Sequence, residues 1–245
     1  MGKIQKRNGK IQMRKKYTFI LPCLNEEKSL EYCIKQIQSC INDKNLDAEI
    51  LVSDNNSSDT SVDIAKRNGA RVVVCTERGY GAALINGIKN AEGQFCIMGD
   101  ADGSYDFYNI DAFIRELDNG YDLVVGNRYE GGIQKGATPL SHKIGVKFLS
   151  GIANLFFHTP IHDYHCGLRA FKRESIEGLN LCHTGMEYAS EMIIMAKLRG
   201  LKMIEVPTTL KKDLRGGHPH LRTVRDGFRH LNLIFKLSFR KRLNQ

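Results

Sequence analysis

Two carboxylates flanking one small residue, Asp100-Ala101-Asp102, follow directly on the apolar run Phe95–Met98. Such a pair can turn both side chains toward one hard divalent cation. Mg²⁺ or Mn²⁺ takes oxygen ligands and bridges protein carboxylates to a diphosphate. A plain turn with Asp102-Gly103 at its tip is the competing reading, because Asp-x-Asp is a short motif. The surroundings favour the cation. Asn25 and Glu26 follow the apolar run Thr18–Cys23, Asp54 follows Glu49–Ser53, and Asn127-Arg128 follow Tyr121–Gly126. One polar residue at a strand end is usually a turn former. Four such ends on one edge are better explained by a ligand site.

Three further constellations carry chemical potential. Arg78-Gly79-Tyr80-Gly81 opens a helix with two glycines, whose N–H groups can meet a phosphate or let a nucleotide approach closely. Position 84 is Leu and no Gly-x-x-x-x-Gly-Lys-Ser/Thr occurs, which argues against dinucleotide and P-loop sites. Glu187 and Glu191, four apart, are expected on one face of a helix over Met186–Leu198 and are candidates for a general base. His162-Asp163-Tyr164-His165-Cys166 lacks the second ligand cluster that zinc sites need, so Asp163 and His165 are instead expected to line an acceptor pocket.

The elements that must position these residues alternate. Strands are expected at Thr18–Cys23, Glu49–Ser53, Arg71–Cys75, Gln94–Gly99, Tyr121–Gly126 and Lys202–Val206. Helices are expected from Leu30 (Leu30, Ile34, Ile37 and Ile41 recur at helical spacing, with Ser29 as cap), after Ser58 or Asp59, and over Gly79–Ala91, Tyr108–Leu117, Ile144–Phe157 and Met186–Leu198. This order predicts an α/β fold, a mostly parallel central sheet flanked by helices on both faces. Residues 131–139 read as a loop rich in glycine and closed by Pro139, and 162–171 as irregular or extended.

The chain of 245 residues carries a net charge of +9, unevenly spread. Residues 1–16 contribute +7, residues 17–210 contribute −6, and residues 211–245 contribute +8. An acidic body between basic ends argues against a nucleic-acid binder. No apolar run approaches the ~20 residues of a membrane span, and the start has no apolar core of a signal peptide. Seven widely spaced cysteines, mostly within apolar stretches, read as reduced side chains of a cytoplasmic protein. The last stretch, with Phe228, Leu231, Phe235 and Phe239 among Arg229, Lys236 and Arg240, fits either an anionic membrane surface or a helix packed on the domain.

Taken together, PCLNEE (22–27), VSDNNSSDT (52–60), RGYGAALING (78–87), GDADGSYDF (99–107), GNRY (126–129), HCGLRAF (165–171), TGMEYASEM (184–192), EVPTTL (205–210) and PHLRTVRDGFRHL (219–231) resemble glycosyltransferase family 2. Within it they are most similar to the bacterial subgroup resembling polyprenyl-phosphate (dolichyl-phosphate) glucose and mannose synthases. The resemblance implies the GT-A fold, with a nucleotide-sugar half at 17–128 and an acceptor half at 129–210. Outside it lie a flexible basic tail at 1–16 and a basic loop and amphipathic helix at 211–245. It implies that Pro22, Asn25, Glu26 and Asp54 hold base and ribose, with Arg78, Gly79, Gly81, Asp100 and Ala101 also at the nucleotide. Asp100 and Asp102 would hold Mg²⁺ or Mn²⁺ on the diphosphate of a UDP- or GDP-sugar. Arg128 and Arg169 would face phosphates, with Asp102, Glu187 and Glu191 completing the catalytic group. Asp163, His165, Arg215, His218 and His220 fall to the acceptor or its phosphate, a polyprenyl phosphate at the inner membrane face. A soluble hydroxyl acceptor and a sugar nucleotidyltransferase are the alternatives. The latter wants a Gly-rich basic signature where this chain has Leu24-Asn25-Glu26.

Overall fold

A computed structural model describes residues 15–216 and 223–243. In chain order the elements are β1 (Tyr17–Cys23), α1 (Leu30–Asp43), β2 (Ala48–Asp54), α2 (Ser61–Arg67), β3 (Arg71–Val74), α3 (Tyr80–Asn90), β4 (Phe95–Met98) and α4 (Asp111–Asp118). There follow β5 (Leu123–Asn127), α5 (Arg128–Gly131), α6 (Leu140–Phe157), β6 (Arg169–Lys172), α7 (Arg173–Glu177), α8 (Tyr188–Leu198), β7 (Met203–Pro207) and α9 (Thr223–Leu243).

The strands form one sheet in the order β3-β2-β1-β4-β6-β5-β7. All pairs are parallel except those of β6, which runs antiparallel between β4 and β5. β1 is buried at all seven positions, the pattern of a strand covered on both faces. The chain winds outward from β1 to β3 and then crosses back to β4. Right-handed crossovers therefore put α1 and α2 on one face and α3 on the other. The reversal opens a crevice between the carboxyl ends of β1 and β4, where open α/β sheets bind ligands.

Helix α1 buries Leu30, Cys33, Ile34, Ile37 and Cys40, a single apolar stripe that fixes its face. Ser29 precedes it without capping it, because its hydroxyl turns back to the Glu26 carboxylate at 3.1 Å. At α2, Asp59 does accept the Ser61 N–H at 3.0 Å. Several boundaries differ from the sequence expectation, such as α4, which begins at Asp111 instead of Tyr108, and β5, which is shifted to Leu123–Asn127. Helix α6 begins at Leu140, four residues early, because Pro139 supplies a preset φ at its N-cap instead of ending a loop. Helix α8 begins at Tyr188, so Glu187 precedes it. Lys15 and Lys16, expected in the tail, join the domain: their carbonyls accept the Gln94 and Phe95 N–H groups, and Lys15 pairs with Asp47 at 2.8 Å. Residues 1–14 lie outside the described residues.

Candidate active site

The crevice between β1 and β4 gathers three carboxylates and one guanidinium. Glu26, past β1, and Asp102, past β4, are both buried. Arg215 spans them, with Nη1 3.1 Å from Glu26 Oε1 and Nη2 3.0 Å from Asp102 Oδ2. Asp100 accepts the Tyr80 hydroxyl at 2.9 Å through Oδ1. Its other oxygen lies so close to Gly167 that a side chain there would collide with it. Burial first, then the Asp102 charge, pushes the Asp100 carboxyl up to about 6. Burial also pushes Glu26 up to about 7, against the opposing pull of Arg215. Crowded acidic oxygens with raised proton affinity, neutralised by a borrowed side-chain cation, suit a hard divalent ion. The donor set thus fits Mg²⁺ or Mn²⁺, which Asp100 and Asp102 would hold.

Arg215 reaches this place because residues 211–216 lie across the Asp102 loop. The Leu214 N–H donates to the Asp102 carbonyl and the Lys211 N–H to the Ser104 carbonyl, each at 2.8 Å. The segment expected as a separate terminal loop therefore forms one wall of the site. His218 and His220 lie outside the described residues.

The remaining nucleotide candidates line the same rim in different roles. Asp54 is buried and accepts the Ser57 N–H at 3.3 Å. Asn25, at φ 58°, joins the β1 and β2 loops by accepting the Ser58 N–H at 2.8 Å. Pro22 is inside β1, Ala101 is buried, and Arg78 is exposed. The glycine turn has a packing reason. A Cβ on Gly79 would strike the Thr184 carbonyl, and one on Gly81 the His183 carbonyl. The Gly79 N–H donates to Asn55 Oδ1 at 2.8 Å, and the Ala82 N–H, just past the turn, to the Thr184 carbonyl at 3.1 Å.

The two arginines diverge. Arg169 is fully buried and donates to the carbonyls of Cys166, Ala189 and Tyr164 at 2.9, 3.0 and 2.7 Å. It staples β6 to α8 and does not face a ligand, which corrects the expectation from its motif. Arg128 forms a buried bidentate pair with Asp163, Nε to Oδ2 and Nη2 to Oδ1, both 2.7 Å. Asp163, expected at the acceptor, is wholly buried and holds Arg128 in place. Arg128 also borders a cavity of about 370 Å³ with Lys143 and Lys147 as further cations and Leu140, Ile144 and Ile133 as apolar wall. Lys143 and Lys147 escaped the sequence reading, although their i, i+4 spacing beside Leu140 and Ile144 was its signal.

The glutamates also separate. Glu187 Oε1 pairs with Arg229 of α9 at 2.9 Å, while its buried Oε2 has no hydrogen-bond partner among the described residues. Glu191 is bound up with the preceding loop, accepting His183 Nδ1 at 2.7 Å and the N–H groups of Cys182 and His183. They do not work as a facing pair. The His165 ring nitrogens are buried without a hydrogen-bond partner among the described residues, and its ring meets His230 edge-on at 4.5 Å. Burial, with His230 and two arginines nearby, drives its pKa well below the usual histidine value, so the imidazole is neutral.

A doubly wound sheet with an acidic crevice at its switch point is the architecture of the GT-A fold. The family model described as Glycosyl transferase family 2 matches residues 18–179, and the chain belongs to that family. It is 34% identical over 217 residues to the low-salt glycan biosynthesis hexosyltransferase Agl6 of Haloferax volcanii, covering 88% of this chain but 52% of that protein. It is 27% identical to a dolichyl-phosphate hexose transferase of the same organism, covering 93% of this chain and 98% of that protein. In fold it resembles mannosyl-3-phosphoglycerate synthase from Rubrobacter xylanophilus, with a TM-score of 0.72 at 18% identity over 94% of this chain and 76% of that one.

Proposed function

We propose that the protein transfers a hexose from a nucleoside-diphosphate sugar, UDP- or GDP-linked, to a polyprenyl phosphate. The observation that carries this reading is the cluster of Glu26, Asp100 and Asp102 at the β1–β4 crevice, already countered by Arg215. A bound Mg²⁺ or Mn²⁺ supplies charge for the departing diphosphate. The chain's own residues do the rest. Asp100 and Asp102 hold the ion, and Tyr80 orients Asp100. Arg215, which bridges Glu26 and Asp102 here, would be released from Asp102 at the loaded site and could turn to a phosphate oxygen, which a guanidinium can bind in bidentate fashion. A structural neighbour, glucosyl-3-phosphoglycerate synthase of Mycobacterium tuberculosis, was solved with Mn²⁺ and UDP (TM-score 0.68, 20% identity), which supports the donor class.

The acceptor half of the proposal rests on the cavity beside Arg128. Three cations over an apolar wall match a phosphate carried on a hydrocarbon chain. From that wall runs an exposed stripe, Leu140, Ile144, Phe148 and Leu155, along α6, and α9 adds exposed Phe228, Phe235 and Phe239. Among the described residues no helix is long and apolar enough to cross a membrane. These exposed apolar faces support peripheral contact with an anionic bilayer. A lipid phosphate is already an anion, so the attack needs no general base. The dolichyl-phosphate hexose transferase relative supports the same acceptor. One observation favours a second reading, a hydroxyl acceptor: the buried Glu187 Oε2 has no hydrogen-bond partner among the described residues, which supports Glu187 as a proton acceptor.

The test is a panel of UDP- and GDP-sugars with polyprenyl phosphate in detergent, with and without Mn²⁺. Mn²⁺-dependent formation of a sugar-linked lipid is expected. Transfer to soluble hydroxyl acceptors alone would establish the second reading.

A further inference from the structure

One cluster outside the crevice brings together three different metal-binding side chains. Cys182, His183 and Glu191 have donor atoms within 4.8 Å of one another. Cys182 Sγ lies 3.5 Å from Glu191 Oε1 and 3.7 Å from His183 Nδ1, and Nδ1 lies 2.7 Å from Oε1. A tetrahedral zinc, with bonds of about 2.3 Å to sulfur and about 2.0–2.1 Å to nitrogen and oxygen, needs donor separations of roughly 3.3–3.6 Å. Both sulfur edges already match within a few tenths of an ångström. The nitrogen–oxygen edge must open by about half an ångström, the distance between a hydrogen-bonded pair and two ligands of one ion. We infer that these three side chains form a binding site for a thiophilic divalent cation, zinc foremost, separate in chemistry from the all-oxygen crevice.

The charges agree with this assignment. A thiolate, a carboxylate and a neutral imidazole carry −2, so the loaded site is neutral, as a cluster containing a buried glutamate requires. Loading releases the Cys182 thiol proton, and the His183 proton shifts from Nδ1 to Nε2. Cys182 is exposed whereas the other six cysteines are buried, and the His183 side chain is about a quarter exposed, so the ion has an entry path. The fourth position is left to water. The ligands lie on the loop whose Thr184 carbonyl receives the Ala82 N–H, and on the first turn of α8. A bound ion therefore clamps that loop between the glycine turn at Gly79–Gly81 and α8.

The experiment is a titration of metal-stripped protein with Co²⁺. A thiolate-to-cobalt charge-transfer band marks this site, because Asp100 and Asp102 offer only oxygen. The expected result is one such band per chain, abolished by one equivalent of Zn²⁺, lost in Cys182→Ser and His183→Gln, and kept in Asp102→Ala. Saturating Zn²⁺, about 100 times its Kd, should also raise the Tm of the wild type by roughly 5–10 °C and leave Cys182→Ser unmoved. Circular dichroism of the stripped variants checks that they are folded. No band in the folded wild type, or a band that persists in folded Cys182→Ser, overturns the site. Neither readout depends on sugar transfer, so the outcome is independent of the activity proposed above.

Discussion

Replacing Arg215 by alanine should tighten the binding of Mn²⁺ to the nucleotide-free protein while impairing transfer. The guanidinium makes one contact to Glu26 and one to Asp102, at 3.1 and 3.0 Å, with its side chain 20% exposed. An ion entering between Asp100 and Asp102 must displace the second contact. Hydrogen bonds to charged groups contribute about 1.5–3 kcal/mol, and partial solvent screening favours the low end, close to tenfold in Kd. Mn²⁺ titration followed by the electron paramagnetic resonance of the free ion reads this directly. It should be run near pH 8.5, where Glu26, raised to about 7, is ionised with or without its partner. Arg215→Ala should bind Mn²⁺ about tenfold more tightly and lose kcat/KM, whereas Arg215→Lys should stay near the wild type in Mn²⁺ affinity. Unchanged or weaker Mn²⁺ binding in Arg215→Ala would refute the idea that the guanidinium stands in for the ion.

Three other outcomes are expected. Asp163→Asn leaves the buried Arg128 cation without its counter-charge and should destabilise the protein by about 3–5 kcal/mol in denaturant melts; a loss under 1 kcal/mol would mean that the pair is solvated. Metal affinity should fall as pH drops from 7.5 to 5, because Asp100, titrating near 6, and Glu26, near 7, take up protons that compete with the ion. The same raised carboxyls bind protons more tightly folded than unfolded, so their contribution to stability rises toward lower pH and is lost as pH climbs through 6–7; calorimetry on the metal-free protein checks the sign. Gly79→Ala, forced at φ 139° against the Thr184 carbonyl, should lower Tm measurably, and an unchanged Tm would show that the loop yields.

The sequence carried the scaffold where burial is periodic or continuous. TFILPC could only be a covered strand, and the spacing of Leu30, Ile34 and Ile37 could only place one helix face inward. The rim was legible for the same reason, since each polar cluster directly follows such a run. What stayed hidden depends on distant partners. β6 is four residues long and takes its antiparallel place from β4 and β5, not from a local pattern. Arg169 reads as a phosphate ligand in its motif, yet its partners are three backbone carbonyls that no spacing encodes. Gly79 and Gly81 announced a close approach without revealing that the approaching group is the 183–184 backbone. The opposite holds for Arg215, whose loop looked peripheral until it was seen resting on Asp102.

The central claim is that Asp100 and Asp102 hold a divalent cation that carries the donor diphosphate. Its most direct test compares wild type and Asp102→Ala for Mn²⁺-dependent binding of UDP and GDP and for transfer from the matching sugar donor. The variant should fold normally, lose the Mn²⁺-dependent part of nucleotide binding, and lose transfer by about a hundredfold or more. Full transfer by metal-free Asp102→Ala would contradict the account.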